Sequence, residues 1–222
     1  GGTWSTTSST ATVGSTTGSV CGVTTGLASI TYTLSTGCYR TTPITVNPSP
    51  TVFSVTGGGG FCAGSAGAHV GLGGSSLGIN YQLYIGGVAT GTVLSGTGLP
   101  LDFGLQTTAG VYTVVGVNPL TTCTSNMSGS ATITVNPLPP LCTVTGGGSF
   151  CVGSAGLHVG LSCSSPGISY QLLLDGVPLG AAITGTGLAL DFGLQSAAGT
   201  YTVVATNTVT GCSRTMGGSA TM

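Results

Sequence analysis

The sequence predicts an all-β protein built from antiparallel β-sandwiches in tandem. Short runs of Val, Thr, Ile and Leu alternate with turn residues, and 42 of the 222 residues are Gly. Such runs are typical of strands and tight turns, and strong helix formers are scarce. The second observation is an internal repeat, since sliding the sequence by 89 residues aligns residues 56–132 with residues 145–221 without a gap. A repeat of this length is that of a whole domain, so we expect consecutive domains.

The near absence of charge excludes several classes of function. Only 2% of the residues are charged, with no Lys and no Glu, whereas about a quarter is usual for a soluble domain. With a formal net charge of −1, the chain lacks the basic clusters that bind nucleic acids or anionic membranes. No apolar run approaches the roughly 18 residues of a membrane span. We therefore expect neither a nucleic-acid partner nor membrane insertion.

Residues 1–47, the first segment, carry four motifs of a known family. They are Trp4-Ser5, Ala11-Thr12-Val13, a Gly-x-Val-x-Gly-Val run from Gly18 and a Gly-x-Ala-x-Ile-Thr run from Gly26. This pattern resembles the second half of a bacterial Ig-like domain of group 2. It departs from the family at Gly14, where Asp is frequent, and at Cys21, where Thr is frequent. The resemblance implies a partial Ig-like domain without its first half.

Two proline-containing junctions divide the rest of the chain. Asn47-Pro48 and Asn136-Pro137 each follow a Thr/Val strand and precede another, which predicts short, stiff linkers. We predict three domains: the first segment, a second repeat (residues 51–136) and a third repeat (residues 140–222). The third repeat lacks the end of its last strand. We therefore expect a window on a longer polypeptide or a strand supplied by a neighbouring chain.

Within the third repeat the pattern predicts strands over residues 158–161, 168–174, 188–192 and 200–205, and from residue 219 onward. Several short strands at this spacing favour an antiparallel sandwich or barrel. The run around Tyr201, copied around Tyr112, resembles the tyrosine corner before strand F of an Ig-like fold.

The whole repeat resembles the Ig-like repeats of very large secreted surface proteins of gliding, type-IX-secreting bacteria. In those repeats a Cys-x-Gly before one strand and a Gly-Cys near the end recur together with Asn-Pro linkers. The resemblance covers essentially the whole chain. It implies tandem Ig-like antiparallel β-sandwiches joined by short Asn-Pro linkers.

The eight cysteines predict disulfides and an oxidising, extracellular compartment, because their number is even and their spacing regular. A metal site would need Cys-x-x-Cys or Cys/His clusters, which are absent. The predicted disulfide residues are Cys21, Cys38, Cys62, Cys123, Cys142, Cys151, Cys163 and Cys212.

Three kinds of observation suggest how these cysteines pair. Cys142 and Cys163 are both absent from the second repeat, which indicates a bond between them, and Cys21 lies close to Cys38 in the sequence. Cys62 and Cys123 are 61 residues apart, and the same spacing separates the equivalent pair of the third repeat. In a standard Ig topology such pairs lie at opposite ends, so either this segment runs differently or the bonds cross between neighbouring domains. The identical spacing favours bonds within each repeat.

The polar residues most suited to catalysis have simpler structural explanations. His69 and His158 occupy equivalent strand positions with no obvious partner in the sequence, so we expect ordinary strand histidines. Asp102 and Asp191 precede a turn, where an acid commonly accepts backbone N–H bonds, and one acid per domain is too few for calcium. We expect no catalytic residue, no cofactor and no metal ligand.

The composition then favours a structural role. Solitary β domains protect their edges with Lys, Glu and net charge, and this chain has none of these protections. We expect a disulfide-braced extracellular fibre or surface filament formed by self-association, with surface glycans as a further candidate partner. The alternative is the spacer or stalk region of a giant cell-surface adhesin. An enzyme would need an acid–base pair that the sequence does not offer.

Overall fold

The computed structural model describes all 222 residues and confirms the all-β fold class, with strands connected by turns and loops and no helix. No helix is therefore present that could cross a membrane. The strands of the first segment are β1 (Thr3–Thr6), β2 (Ala11–Val13), β3 (Val20–Gly22), β4 (Gly26–Thr33) and β5 (Tyr39–Val46).

Each of the two repeats contains nine strands. Those of the second repeat are β6 (Val55–Gly57), β7 (Gly59–Cys62), β8 (Ala68–Leu72), β9 (Asn80–Ile85), β10 (Val88–Ser95), β11 (Leu101–Gln106), β12 (Gly110–Val117), β13 (Thr124–Asn126) and β14 (Ala131–Asn136). Those of the third are β15 (Val144–Gly146), β16 (Leu157–Leu161), β17 (Ile168–Leu174), β18 (Val177–Pro178), β19 (Ile183–Thr184), β20 (Leu190–Gln195), β21 (Thr200–Asn207), β22 (Ser213–Thr215) and β23 (Ala220–Thr221).

The first segment folds as one antiparallel sheet in the order β1-β4-β5, together with the β2-β3 hairpin. Ala11, Ala28 and Ile30 are its buried residues, and the rings of Trp4 and Tyr32 lie 4.7 Å apart on adjacent strands. This core is small, and most positions of β5 are exposed.

The third repeat is a two-sheet sandwich. One sheet has the order β15-β16-β20, and β17 and β21 form the centre of the other. Alternate residues of both sheets meet in one buried cluster, which includes Val159, Leu161, Tyr170 and Val203. Side chains of a strand alternate between its two faces, so this period-2 pattern fills the space between the sheets. The corresponding positions Val70, Leu72, Tyr81 and Val114 of the second repeat are buried as well.

The tyrosine corner of the third repeat forms as the Ig-like resemblance implies. The Tyr201 hydroxyl donates to the backbone oxygen of Ala197 at 2.7 Å, four residues upstream, and the ring is fully buried.

One strand of the second repeat is unexpected, namely β7. It pairs in parallel with β14, with Gly59 opposite Ile133 and Cys62 opposite Asn136. The backbone N–H of Ala63 continues the pairing by donating to the Asn136 oxygen at 2.9 Å. In the third repeat, residues 148–151 are not a strand, and Gly148 keeps one bond from its N–H to the Thr221 oxygen at 2.9 Å. The glycines of β7 have low strand propensity, so sequence analysis does not predict this strand.

Close backbone contacts group the chain into two compact units. One contains residues 1–56, 70–103 and 111–131, and the other contains residues 57–69, 104–110 and 132–222. The domain boundaries predicted from the Asn-Pro junctions stay a prediction.

Candidate functional site

The sites of chemical interest are the cysteines, four of which form two disulfides. Cys142 bonds Cys163 with their Cα atoms 5.4 Å apart, and Cys62 bonds Cys212 with their Cα atoms 5.5 Å apart. Both distances are usual for disulfides. The free cysteines are Cys21, Cys38, Cys123 and Cys151.

The Cys142–Cys163 bond is the one that the paired appearance of these cysteines predicts. The second repeat has Phe53 and Gly74 at the same two positions. A Cβ atom added to Gly74 would lie 2.6 Å from the Phe53 ring, so the ring occupies the space beside this glycine. The two repeats therefore fill the same site in two ways, one with an aromatic ring over a glycine and the other with a disulfide.

The expected bonds Cys62–Cys123 and Cys151–Cys212 are not formed in the structure, where Cys62 bonds Cys212 instead. The third repeat shows the physical reason. Gly148, just before Cys151, bonds Thr221, which lies opposite Thr200 at the beginning of β21, whereas Cys212 follows the end of that strand. The eight residues of β21 span about 23 Å at 3.3 Å per residue. A disulfide needs Cα atoms within about 7 Å, so cysteines at opposite ends of the strand cannot pair.

The expected Cys21–Cys38 bond is also not formed, again because of a strand's length. The Cα of Gly22, next to Cys21, faces the Val46 side chain, and Val46 pairs with Gly26 at the beginning of β4. Cys38 lies in the turn beyond the other end of β4, where its oxygen accepts the Leu34 N–H. The eight residues of β4 separate the two thiols, and both are exposed.

An ion pair joins His158 and Asp191, for which sequence analysis predicted no contact with each other. The Nδ1 of His158 lies 2.7 Å from an Asp191 oxygen, and both side chains are largely exposed. The other Asp191 oxygen accepts the Gly193 N–H at 2.8 Å, as expected of an acid before a turn. The hydrogen bond from His158 and then the one from Gly193 hold the pKa of Asp191 below its ordinary value. The pairing of β16 with β20 is the signal that would have found this contact.

The structure contains no group of three or more His, Cys, Asp or Glu side chains able to hold a metal ion. The expected strand histidine and turn-capping aspartate are what the third repeat contains, with the added contact between them. An exposed His–Asp pair has the residues of a general base, and its contacts are between the two side chains and with the Gly193 N–H.

The surface combines many exposed apolar side chains with very little charge. Nineteen large apolar side chains are exposed, including Leu120, Val152 and Val209, which are at least 90% accessible. The chain has five charged side chains to set against them. With so few charges between them, these side chains have little of the charge that normally keeps β domains apart.

No protein-family model matches the sequence, and no curated protein sequence matches it. Several solved structures are similar in fold. The first eight Ig domains of Down syndrome cell adhesion molecule have 18% identity over 98% of this chain and 37% of that chain, with a TM-score of 0.45. A mouse coronavirus receptor-binding domain complexed with its murine receptor has 15% identity over 76% and 98%, with a TM-score of 0.42. The human OSCAR ligand-binding domain has 14% identity over 79% and 100%, with a TM-score of 0.34.

Proposed function

We propose that this chain is a structural extracellular protein that self-associates, through its Ig-like domains, into a disulfide-braced fibre or surface filament. The observation that carries the proposal is the exposed apolar surface, nineteen large side chains against five charged ones. A monomer that stays dispersed normally covers its surface with charge of both signs. Here association is what removes the apolar groups from water.

The edge strand β10 is the best candidate for a contact. It pairs only with β9, is eight residues long and contains neither a charged residue nor proline. Val88 and Val93 on this strand are 69% and 49% exposed. The edge strand β5 is better protected, since it contains Arg40 and Pro43, and proline lacks the N–H that a further strand would need.

The disulfides support an extracellular location, since such bonds persist in oxidising compartments. Cys62–Cys212 also joins the second repeat to the third at a point other than the chain linker. This second covalent tie suits a protein whose role is mechanical. The resemblance to repeats of large bacterial surface proteins points to the same role.

The alternative function is a spacer or stalk of a giant cell-surface adhesin. The tandem arrangement of two similar repeats favours it, because a stalk needs repeated units and no active site. The two functions differ in self-association: a stalk stays dispersed, and a filament subunit polymerises.

Sedimentation velocity and electron microscopy of the purified full chain, under oxidising conditions, test the proposal. We expect concentration-dependent polymers with a regular axial repeat. Val93→Lys places a charge on the edge of β10 and should shift the onset of assembly to at least tenfold higher concentration. Leu99→Lys is the matched control, because Leu99 is 68% exposed but lies outside any strand.

Two results would contradict these expectations. A chain that stays monomeric at all concentrations, with its disulfides formed, would refute the filament and favour the stalk. Equal effects of Val93→Lys and Leu99→Lys would show that added charge alone, and not the edge of β10, controls assembly.

A further inference from the structure

The Cys62–Cys212 disulfide follows a rule that can be applied again along the chain. It joins the cysteine at the end of β7 in one repeat to the cysteine of the turn after β21 in the next repeat. The sequence separation of 150 residues equals the 61-residue spacing inside a repeat plus the 89-residue repeat length. A bond of this kind therefore joins the cysteine at the Cys62 position of one repeat to the cysteine at the Cys212 position of the repeat that follows.

The two free cysteines of the repeats occupy the two kinds of position that this bond joins. Shifting Cys62 by one repeat gives Cys151, and shifting Cys212 back by one repeat gives Cys123. Both of these thiols are unbonded, Cys151 exposed and Cys123 half-buried. Each free cysteine thus has a bonded counterpart at the equivalent position of the other repeat.

The backbone around Cys151 is already built like that around Cys62. The Ser65 hydroxyl donates to the Cys62 oxygen at 2.6 Å, and the Ser154 hydroxyl donates to the Cys151 oxygen at 2.7 Å. The N–H groups of the same serines donate to the same oxygens at 3.0 and 3.1 Å. The turn that presents the bonded cysteine is therefore present, with the same bonds, around the free one.

The turn around Cys123 matches that around Cys212 in the same detail. The Asn118 N–H donates to the Cys123 oxygen at 2.9 Å, and the Asn207 N–H donates to the Cys212 oxygen at 2.8 Å. Each asparagine side-chain oxygen accepts two backbone N–H groups of its own turn. The turns next to both free thiols therefore have the same hydrogen bonds as the turns next to the bonded cysteines.

The surroundings of Cys151 leave room for a partner. An open groove of about 570 Å³ adjoins it, lined by its neighbours Phe150 and Val152 and by Met222, among others. Val152 is fully exposed there. In the second repeat, the equivalent cysteine, Cys62, is bonded and lies on the paired strand β7. The free Cys151 is therefore accessible.

We infer that Cys151 of one copy forms a disulfide with Cys123 of a second copy, extending the Cys62–Cys212 pattern from chain to chain. The partner is recognised as a cysteine of the Asn-initiated turn of a repeat of this kind. Such a contact uses different surfaces on the two copies, so it is heterologous and can be repeated head to tail. The inference deepens the proposed self-association and rests on it.

The reaction needs a two-electron oxidant, for which a small-molecule disulfide suffices. One cysteine thiolate attacks that disulfide, forms a mixed disulfide and releases one thiolate. The second cysteine thiolate then attacks the cysteine sulfur of the mixed disulfide and expels the other thiolate. Two protein thiols are oxidised to one disulfide, and one small disulfide is reduced to two thiols, with the two thiol protons ending on the released thiols.

The test uses the full chain oxidised with glutathione disulfide and three single variants, followed by non-reducing electrophoresis. Wild type should form covalent oligomers, and so should Cys38→Ser, the control for an exposed free thiol. Cys151→Ser alone and Cys123→Ser alone should each stay as single chains. An equimolar mixture of these two variants should give a covalent dimer and nothing larger, because only one complementary pair of thiols remains.

Isotope labelling identifies the bond. With ¹⁵N-labelled Cys151→Ser mixed with unlabelled Cys123→Ser, the peptide containing Cys123 should be heavy and the linked peptide containing Cys151 light. A dimer formed by either variant alone would overturn the inference, because it would show that Cys21, Cys38 or the remaining repeat cysteine cross-links the chains without the complementary pair. Cys123 and Cys151 that remain open to alkylation in oxidised polymers would overturn it as well, while leaving the proposed function intact. Absence of any association would count against the proposed function.

Disulfide mapping of the native assembly distinguishes two sources of the partner turn. Cys151 linked to the Cys123 peptide identifies a second copy of this chain. Cys151 linked to a turn peptide of another sequence identifies a further repeat of the same kind, joined by the same bond. Cys151 recovered as a free thiol in native material contradicts both.

Discussion

Removing the Cys142–Cys163 bond should loosen the third repeat by an amount set by its loop. The bond closes a loop with a sequence separation of 21 residues. For a loop of this size the chain-entropy relation gives about 3 kcal/mol at 25 °C. We expect Cys142→Ala with Cys163→Ala to lose this contribution together with part of the packing, because Cys142 is 2% exposed.

The second repeat supplies a matched variant, since it fills the same site without a bond. Cys142→Phe with Cys163→Gly copies Phe53 and Gly74 into the third repeat. This pair loses the cross-link but restores an apolar ring at the site, so its stability should lie between wild type and the double alanine variant. The difference between the two variants separates the contribution of packing from that of the cross-link.

Hydrogen exchange is the suitable assay, because a chain of several domains need not unfold in one step. A loss of about 3 kcal/mol corresponds to exchange on the order of a hundredfold faster. We expect this acceleration at the amides of β16 and β17, with β8 and β9 of the second repeat as the internal control. Unchanged exchange in β16 of the double alanine variant would refute the reasoning, as would an equal acceleration in both repeats.

Two further predictions concern the third repeat. The lowered pKa of Asp191 stabilises the folded state above the ordinary pKa near 3.8, and this stabilisation is lost as the pH falls through the folded-state pKa. Asp191→Asn should therefore lower the free energy of unfolding by at most about 1 kcal/mol at pH 6, because the pair is exposed, and by nothing near pH 2. Urea unfolding measures both values. An equal loss at both pH values would contradict the ion pair with His158. Gly156→Ala should destabilise by several kcal/mol more than Gly153→Ala in the same assay, because both have φ near +88° but only at Gly156 does the added Cβ meet the Gln195 backbone oxygen. Similar losses would show that the conformation, and not the contact, is decisive.

The regular strands could be predicted because their signal is local. The predicted strand over residues 168–174 coincides with β17, and those of residues 158–161 and 200–205 lie within β16 and β21. Their β-branched and apolar residues alternate with the pleat, so neighbouring positions alone reveal them. The predicted strand over residues 188–192 is displaced from β20 by two residues at its beginning, because Leu188 is an exposed turn residue despite its apolar side chain.

The contacts that sequence analysis missed depend on pairing between distant strands. His158 and Asp191 meet because β16 pairs with β20, and no local pattern records the register of that pairing. β7 was missed because Gly59 and Gly60 carry no strand propensity, although they pair with β14. In both cases the partner strand supplies the information.

The cysteine pairing shows the same limit in a form peculiar to repeats. A spacing of 61 residues that recurs in both copies is what a bond inside each repeat would produce, but a bond from each repeat to the next preserves the same spacing. The repeat spacing therefore does not distinguish a bond within each repeat from a bond between consecutive repeats. The direction of β7 distinguishes the two kinds of bond. Because β7 runs parallel to β14, Cys62 lies beside Asn136, at the end of β14 from which the chain enters the third repeat. A cysteine there lies where the chain leads into the third repeat, and it bonds the turn cysteine of that repeat, Cys212.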